Sequence, residues 1–444
     1  MRDETLSIHA GYETDPVTKS VAVPIYQTVA YEFDSADHGA ALFDLEVPGN
    51  IYTRLSNPTT AVLEKRIAAL EDGVDALCVG SGMAAIHYAI VNIAEMGHNI
   101  VSTPQLYGAT WTLFEHVLRK QGIDVRFAAS NAVADIEKLI DANTRALYCE
   151  SIGNPGGDIA DIEALADCAH RNGVPLIVDN TIATPILLKP IRFGADVVVH
   201  SLTKFVGGHG TTMGGAIVDS GNFPWALHAQ RFPMLAQPEA AYHGVVYTEQ
   251  YGRGAYVARC RTVCMRNTGS VLSPLSAFLL LQGAETLALR VERHIENTAK
   301  VVSFLEGHPQ VAWCNSIGRF GTPNHALAKK YLNGRGGPFL TFGVKGGFEQ
   351  GKRFYDALLL FKRLVNIGDA KSLACHPAST THRQLTAEEL ARAGVKPEMI
   401  RLCVGIEHID DILADLDQAL ARTAGDSQSV ADTAQQLRLV ASRG

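Results

Sequence analysis

No CxxC pair and no HExxH helix occurs among the 444 residues, so the usual signs of a structural zinc or a disulfide framework are missing. Eight cysteines are present, at Cys78, Cys149, Cys168, Cys260, Cys264, Cys314, Cys375 and Cys403. Several lie in apolar runs such as DALCV and RALYCES, where a thiol acts as a small hydrophobe. Cys260 and Cys264 have helix spacing but no neighbouring ligands. His376 and His382 share the string HPASTTH, which has no metal-ligating pattern, so no metal is expected. No apolar run approaches the ~20 residues that span a bilayer. The opening segment carries Asp3, Glu4, Glu13 and Asp15 and is not expected to be a signal peptide. A basic excess is absent too: 39 Lys and Arg stand against 46 Asp and Glu, a net charge of −7. That argues against nucleic acid and anionic membranes as partners. The expectation left is a cytoplasmic, well-cored protein that acts on small molecules.

What is present is a rhythm. From Asp75 to about Ser201, short β-branched runs (DALCV, NIVST, DVRFA, RALYCES, PLIVDN, ADVVVHS) alternate with amphipathic helical runs. Their spacing is that of βα units, which predicts an α/β fold with a mainly parallel sheet covered by helices. Ligands of such sheets bind outside the carboxyl ends of the strands. Residues 1–60 break the rhythm: Tyr12, Pro16, Pro24, Tyr26, Pro48, Tyr52 and Pro58 mark an irregular arm that must lie on another surface. A cofactor-binding domain is placed at 61–255 and a smaller α+β domain at 256–425. The latter takes in a long helical run, Pro274–Glu306, and the strand candidates VAWCNS, GPFLTFGV and IRLCVGIE. A helix-compatible tail fills 426–444. The segment from Phe232 to Tyr256 has no clear place in this scheme.

Three constellations carry chemistry. Gly80-Ser81-Gly82-Met83-Ala84-Ala85 follows a strand, opens a helix and matches the dinucleotide pattern GxGxxA. The next strand ends Ser102-Thr103-Pro104-Gln105, without the acid that would hold a ribose. What stays is an anion site, suited to a phosphate, at a helix N-terminus. Ser201-Leu202-Thr203-Lys204 ends another strand and runs into a glycine-rich loop. The Ser-Asp-Asn and Lys-Thr-Gly strings that accompany Ser-x-x-Lys in β-lactamases do not occur, and neither does Gly-x-Ser-x-Gly, so a serine hydrolase is disfavoured. A desolvated lysine in that setting suits Schiff-base chemistry with an aldehyde. Asp179 closes the strand PLIVDN. A phosphate site, an amine and a carboxylate at successive strand ends match one cofactor, pyridoxal phosphate, whose ring nitrogen needs an acid partner.

The strings YTRLSNPT, GSGMAAI, LYGAT, ESIGNP, VDNTIATP, HSLTKFVGGHG, NIGDAKSLACHPASTTH and RLCVGIE run nearly end to end. In them the chain resembles the pyridoxal-phosphate-dependent enzymes of cysteine and methionine metabolism, and among these the O-acetylhomoserine sulfhydrylase subgroup. The resemblance implies a fold-type I transferase that binds pyridoxal 5'-phosphate. It implies γ-replacement on O-acetyl-L-homoserine by sulfide or methanethiol, giving homocysteine or methionine and acetate. Lys204 would carry the cofactor and shuttle protons, Asp179 would pair with the ring nitrogen, and Tyr107 would stack on the ring and help in the proton transfers. Gly82, Met83, Ser201 and Thr203 would hold the phosphate. Tyr52 and Arg54 would reach the phosphate of a neighbouring subunit, in a homo-oligomer built as a dimer with shared sites and assembled further as a tetramer. Asn154 would lie near the ring hydroxyl, and Arg401, helped by Asn366, would clamp the substrate carboxylate. Methionine γ-lyases carry Cys where this chain has Ala109, which lowers the γ-elimination reading, and several relatives carry Ser at Asn366. A γ-lyase or cystathionine synthase or lyase is the nearest alternative. A catalytically silent binding protein is the alternative from another class.

Overall fold

Asp75–Val79 (β1), Asn99–Ser102 (β2), Asp124–Phe127 (β3), Thr144–Glu150 (β4), Leu176–Asp179 (β5), Val197–Ser201 (β6) and Gly215–Asp219 (β7) form one seven-stranded sheet. These strands belong to a computed structural model that describes residues 1–380, 383, 388 and 394–424. Strand order is β1-β7-β6-β5-β4-β2-β3. The pairs from β6 through to β3 are all parallel, as the βα rhythm requires. β7 was not expected. It inserts between β1 and β6 and runs antiparallel to both. Strands covered on both faces read as unbroken apolar runs, and Ile177, Val178, Val197, Val198 and Val199 are all fully buried. Each such side chain is worth about 1.5–3 kcal/mol relative to exposure.

The chain divides into two compact units. The larger comprises Met1–Ser151 and Ala160–Ala288; the smaller comprises Ile152–Ile159 and the chain from Leu289 on. The boundary drawn at 255/256 is therefore displaced to Ala288. The residues between belong to the large unit because they pack on it: Tyr256 Oη donates to Ala89 O at 2.6 Å and Arg259 Nη1 to Asn92 O at 2.6 Å. The helix Pro274–Glu285 joins them, with Glu285 3.5 Å from the buried Arg66 of the helix Pro58–Glu71. The long run expected from Pro274 to Glu306 is two helices, broken at Thr286 before Leu287–Gly307 begins. The unplaced segment from Phe232 to Tyr256 supplies core aromatics, for Phe232, Tyr247 and Tyr256 are buried and Tyr256 stacks on Trp225 at 5.3 Å.

The arm holds two short helices, Asp3–His9 and Ala36–Phe43, and is otherwise irregular. It is tied to the helix Pro58–Glu71 through Thr59, whose hydroxyl donates to Pro24 O at 2.7 Å and accepts from the Tyr26 amide at 2.9 Å. Val17, Val21 and Val29 remain exposed on it.

The smaller unit has its own sheet: Lys362–Arg363 (β10), Leu373–Cys375 (β11), Met399–Cys403 (β12), Phe339–Val344 (β9) and Val311–Ser316 (β8), in that spatial order. All of its pairs but β10–β11 are antiparallel. Phe342, Phe354, Leu402 and Leu416 anchor its core. His382 and the tail from Gly425 lie outside the described residues.

Candidate active site

In the large unit the polar residues gather at the carboxyl ends of β4, β5 and β6. Glu150 and Asp179 are register partners at the last positions of β4 and β5. Asp179 is partly buried, and its Oδ1 accepts the Thr181 amide at 2.9 Å. Burial pushes its carboxyl up, opposed by the Thr181 bonds and by the nearby His200. A carboxylate so placed gains from a cation brought against it, which is what a protonated pyridine nitrogen supplies.

The phosphate end is built by close approach. The helix Gly82–Val91 is N-capped by Ser81, whose hydroxyl accepts the Ala84 amide at 3.2 Å. The Gly82 and Met83 amides lie in its first turn, where backbone donors have no intrahelical partner and favour an anion. Gly82 sits directly on Ser201: a Cβ there would come 2.6 Å from Ser201 Cβ. A Cβ at Gly215 would come 2.1 Å from Ser81 O. Only glycine lets helix terminus and strand end meet in this way, so the chain keeps a cradle that a side chain would fill. The residues present fit pyridoxal phosphate at both of its ends.

Lys204 stands in the turn that leaves β6, with its amide donating to Ser201 O at 3.1 Å and its carbonyl accepting from Gly208 at 2.8 Å. Thr203 closes the loop that follows: its hydroxyl donates to Gly214 O at 3.2 Å and accepts from the Gly214 amide at 3.1 Å. Tyr107 heads the short helix Gly108–Thr112 with its ring half exposed. Its amide donates to Glu150 Oε1 at 2.5 Å. Glu150 was missed by the sequence reading, although it closes an apolar strand as Asp179 does.

The small unit gathers a second set. Arg401, in β12, is 8% exposed. Its Nη1 donates to Asn154 Oδ1 at 3.0 Å, and its Nη2 to the carbonyls of Val365 at 2.8 Å and Asn366 at 3.4 Å. Asn154 and Asn366 are thus brought to Arg401, where they fix the plane of a fork suited to carboxylate. In the arm, Arg54 lies 5.3 Å over the Tyr52 ring and donates to Arg266 O at 2.7 Å. Among the described residues no group of three His, Cys, Asp or Glu side chains converges on a metal site, and no helix is long and apolar enough to cross a membrane.

Known proteins resemble this chain over nearly its whole length. A family model described as Cys/Met metabolism PLP-dependent enzyme matches residues 4–421. The chain is 51% identical to O-acetyl-L-homoserine sulfhydrylase 1 of Thermus thermophilus, over 95% of this chain and 100% of that one. It is 50% identical to homocysteine synthase of Schizosaccharomyces pombe, over 94% and 97% respectively. A crystal structure from Campylobacter jejuni, assigned as an O-acetylhomoserine (thiol)-lyase candidate and bearing a pyridoxyl-lysine phosphate, superposes with a TM-score of 0.90 at 42% identity. That likeness covers 95% of this chain and all of the other. With the matching model spanning both units, strand-end acid, helix terminus and lysine turn included, the chain belongs to the PLP-dependent enzymes of Cys/Met metabolism.

Proposed function

We propose that this enzyme replaces the Cγ substituent of O-acetyl-L-homoserine. Sulfide, or a small thiol, forms the new S–Cγ bond; the Cγ–O bond breaks and acetate leaves with its electron pair. The products are homocysteine, or methionine from methanethiol, and acetate. The reading is carried by one observation: a carboxylate at Asp179, the lysine turn after Ser201 and an anion-binding helix terminus at Gly82 meet at neighbouring strand ends. It is supported by relatives named O-acetyl-L-homoserine sulfhydrylase and homocysteine synthase.

Pyridoxal phosphate, when bound, withdraws electrons from the substrate's Cα and so acidifies the protons at Cα and Cβ. Asp179 holds the proton on the ring nitrogen, which keeps that withdrawal strong. Lys204 would hold the cofactor through its Nζ, and its amine is the general base that would move the protons at Cα and Cβ. Tyr107 covers the ring, and its anchored amide sets where the ring lies. Gly82, Met83, Ser201 and Thr203 hold the phosphate. Arg401, its plane set by Asn154 and Asn366, takes the substrate carboxylate through its planar fork, a geometry that lysine cannot reproduce. Tyr52 and Arg54 serve the phosphate of a second subunit, in a cytoplasmic homodimer that pairs into a tetramer.

The test is a product assay with the acetyl and succinyl esters of homoserine, each with sulfide and with methanethiol. Homocysteine and acetate from the acetyl ester support the proposal. An α-keto acid and ammonia formed without any thiol would replace it with γ-elimination. Mixing Lys204→Ala chains with Arg54→Ala chains tests the shared site, because one intact site per hybrid dimer should restore part of the activity. No recovery would separate the arm from the neighbour's chemistry.

A further inference from the structure

Behind the strand ends that carry Asp179 and Ser201 lies a set of polar side chains closed off from solvent. Glu71 ends the helix Pro58–Glu71 and is fully buried, as is Asn180; His200 is 2% exposed. One oxygen, Glu71 Oε1, accepts from His200 Nε2 at 2.6 Å and from Asn180 Nδ2 at 2.8 Å. Asn180 Nδ2 also donates to Leu188 O at 2.8 Å. Asn180 follows Asp179 and His200 precedes Ser201. Successive side chains of a strand point to opposite faces, so this set approaches from the side away from Asp179 and Ser201.

The position of the set is informative. The register between β5 and β6 ends at Asp179 and Val199; past it the Asn180 amide donates to Val199 O, and the Ser201 amide donates not to a backbone carbonyl but to Thr181 Oγ1 at 2.8 Å. Glu71 adds a buried link to these, joining the first residue past β5 to the residue before Ser201. Together with the Thr181 bond it sets the separation between Asp179 and the lysine turn. Those two groups must meet opposite ends of one rigid molecule, so their separation decides how well that molecule fits. A carboxylate removed from water is costly unless hydrogen-bonded; here its bonds go to the residues flanking the two cofactor contacts.

We infer that Glu71, acting through Asn180 and His200, is a positioning residue that sets the spacing of the cofactor cradle. The inference rests on the reading that the cradle takes pyridoxal phosphate. Glu71 itself touches neither cofactor nor substrate.

The experiment resolves the holoenzyme to apoprotein and titrates it with pyridoxal phosphate, following the visible absorption of the bound cofactor. Thermal midpoints of apo and loaded protein are read alongside. Glu71→Leu removes both bonds and should weaken binding by ~10-fold or more, while narrowing the gap between the two midpoints. Glu71→Gln keeps the accepting oxygen and should stay within ~3-fold of the parent. Asn180→Ala removes one of the two bonds to Glu71, together with the Leu188 bond, and it decides the matter if Glu71→Leu does not fold; an intermediate loss of affinity is expected. Parent-like affinity in Glu71→Leu, with both midpoints lowered equally, would leave a merely structural role and overturn the inference. Unchanged affinity in Asn180→Ala would do the same. A parent protein that took up no pyridoxal phosphate would instead overturn the reading beneath it.

Discussion

The seven-stranded sheet carries buried or partly buried acids at both of its ends, and the two ends differ in what surrounds them. At the carboxyl ends of β4 and β5 stand Glu150 and Asp179. At the opposite end Asp75 opens β1 and pairs with Asp219, the last residue of β7, while Asp196 precedes β6. Burial pushes Asp179, Asp75, Asp196 and Asp219 upward alike. A perturbed carboxyl therefore does not pick out the site. Asp219 is 1% exposed and sealed under its own loop, with Oδ1 accepting the Gly221 amide at 2.8 Å. Asp196 is answered by His170 at 2.8 Å and by the Leu176 amide at 2.8 Å. Asp179 is partly open, and it adjoins a helix terminus and a lysine turn. Asp75 is partly open as well, so it is the neighbours, a helix terminus and a lysine turn, that separate chemistry from architecture where electrostatics and access alone do not.

Four substitutions sharpen that contrast. Lys204→Ala at the carboxyl end should lose on the order of 10⁴-fold in kcat, as expected when the mobile base is removed. Retained turnover in a rate assay would break the assignment. Asp179→Asn keeps the shape but removes the charge and should cost ~100-fold in kcat/KM, about 3 kcal/mol, the upper range for a bond to a charged group. Glu150→Ala frees the Tyr107 amide and should cost ~10-fold in kcat/KM with folding retained, because it acts only through the ring's placement.

Asp219→Asn, at the other end, should leave kcat/KM within ~2-fold, being outside the site. Its effect belongs to stability. Folded Asp219 keeps its proton up to about pH 8, whereas an unfolded aspartate ionises near ~3.9. Between those values the unfolded state binds fewer protons, so this residue makes stability fall as pH rises from ~4. The asparagine variant should flatten that part of the pH–stability curve. Denaturant midpoints across the range read it directly, and an unchanged slope would show that Asp219 is ionised in the fold.

Much of the site was legible because parallel strands announce themselves. β-branched runs such as LIVD and VVVHS marked β5 and β6, and the polar residues that end them were conspicuous for interrupting those runs. β7 was not legible: GAIVD emerges from a glycine-rich loop, and its place between β1 and β6 is a long-range pairing with no local sign. Glu71 was hidden for a related reason. It is one more acid at a helix end before a turn, and only the tertiary fold shows that His200 and Asn180 converge on it. The domain boundary at 255/256 is displaced because the change there is one of secondary structure, and the helices that follow still pack on the large unit.

The detour of Ile152–Ile159 into the small unit means that this unit is not a linear module. A fragment beginning at Leu289 would keep Arg401 but lose Asn154, whose Oδ1 holds it. It would also lose Gly156, whose carbonyl takes Asn315 Nδ2 at 2.9 Å, and Ile159, whose amide reaches Asn324 Oδ1 at 3.1 Å. Gene fusion or truncation at the visible joint would therefore deliver an incomplete piece. On the ribosome, the small unit must wait with its first eight residues already made until the second half of the chain has emerged. The chain thus joins its two units three times, because a short segment passes out of one and back again before the final crossing at Ala288.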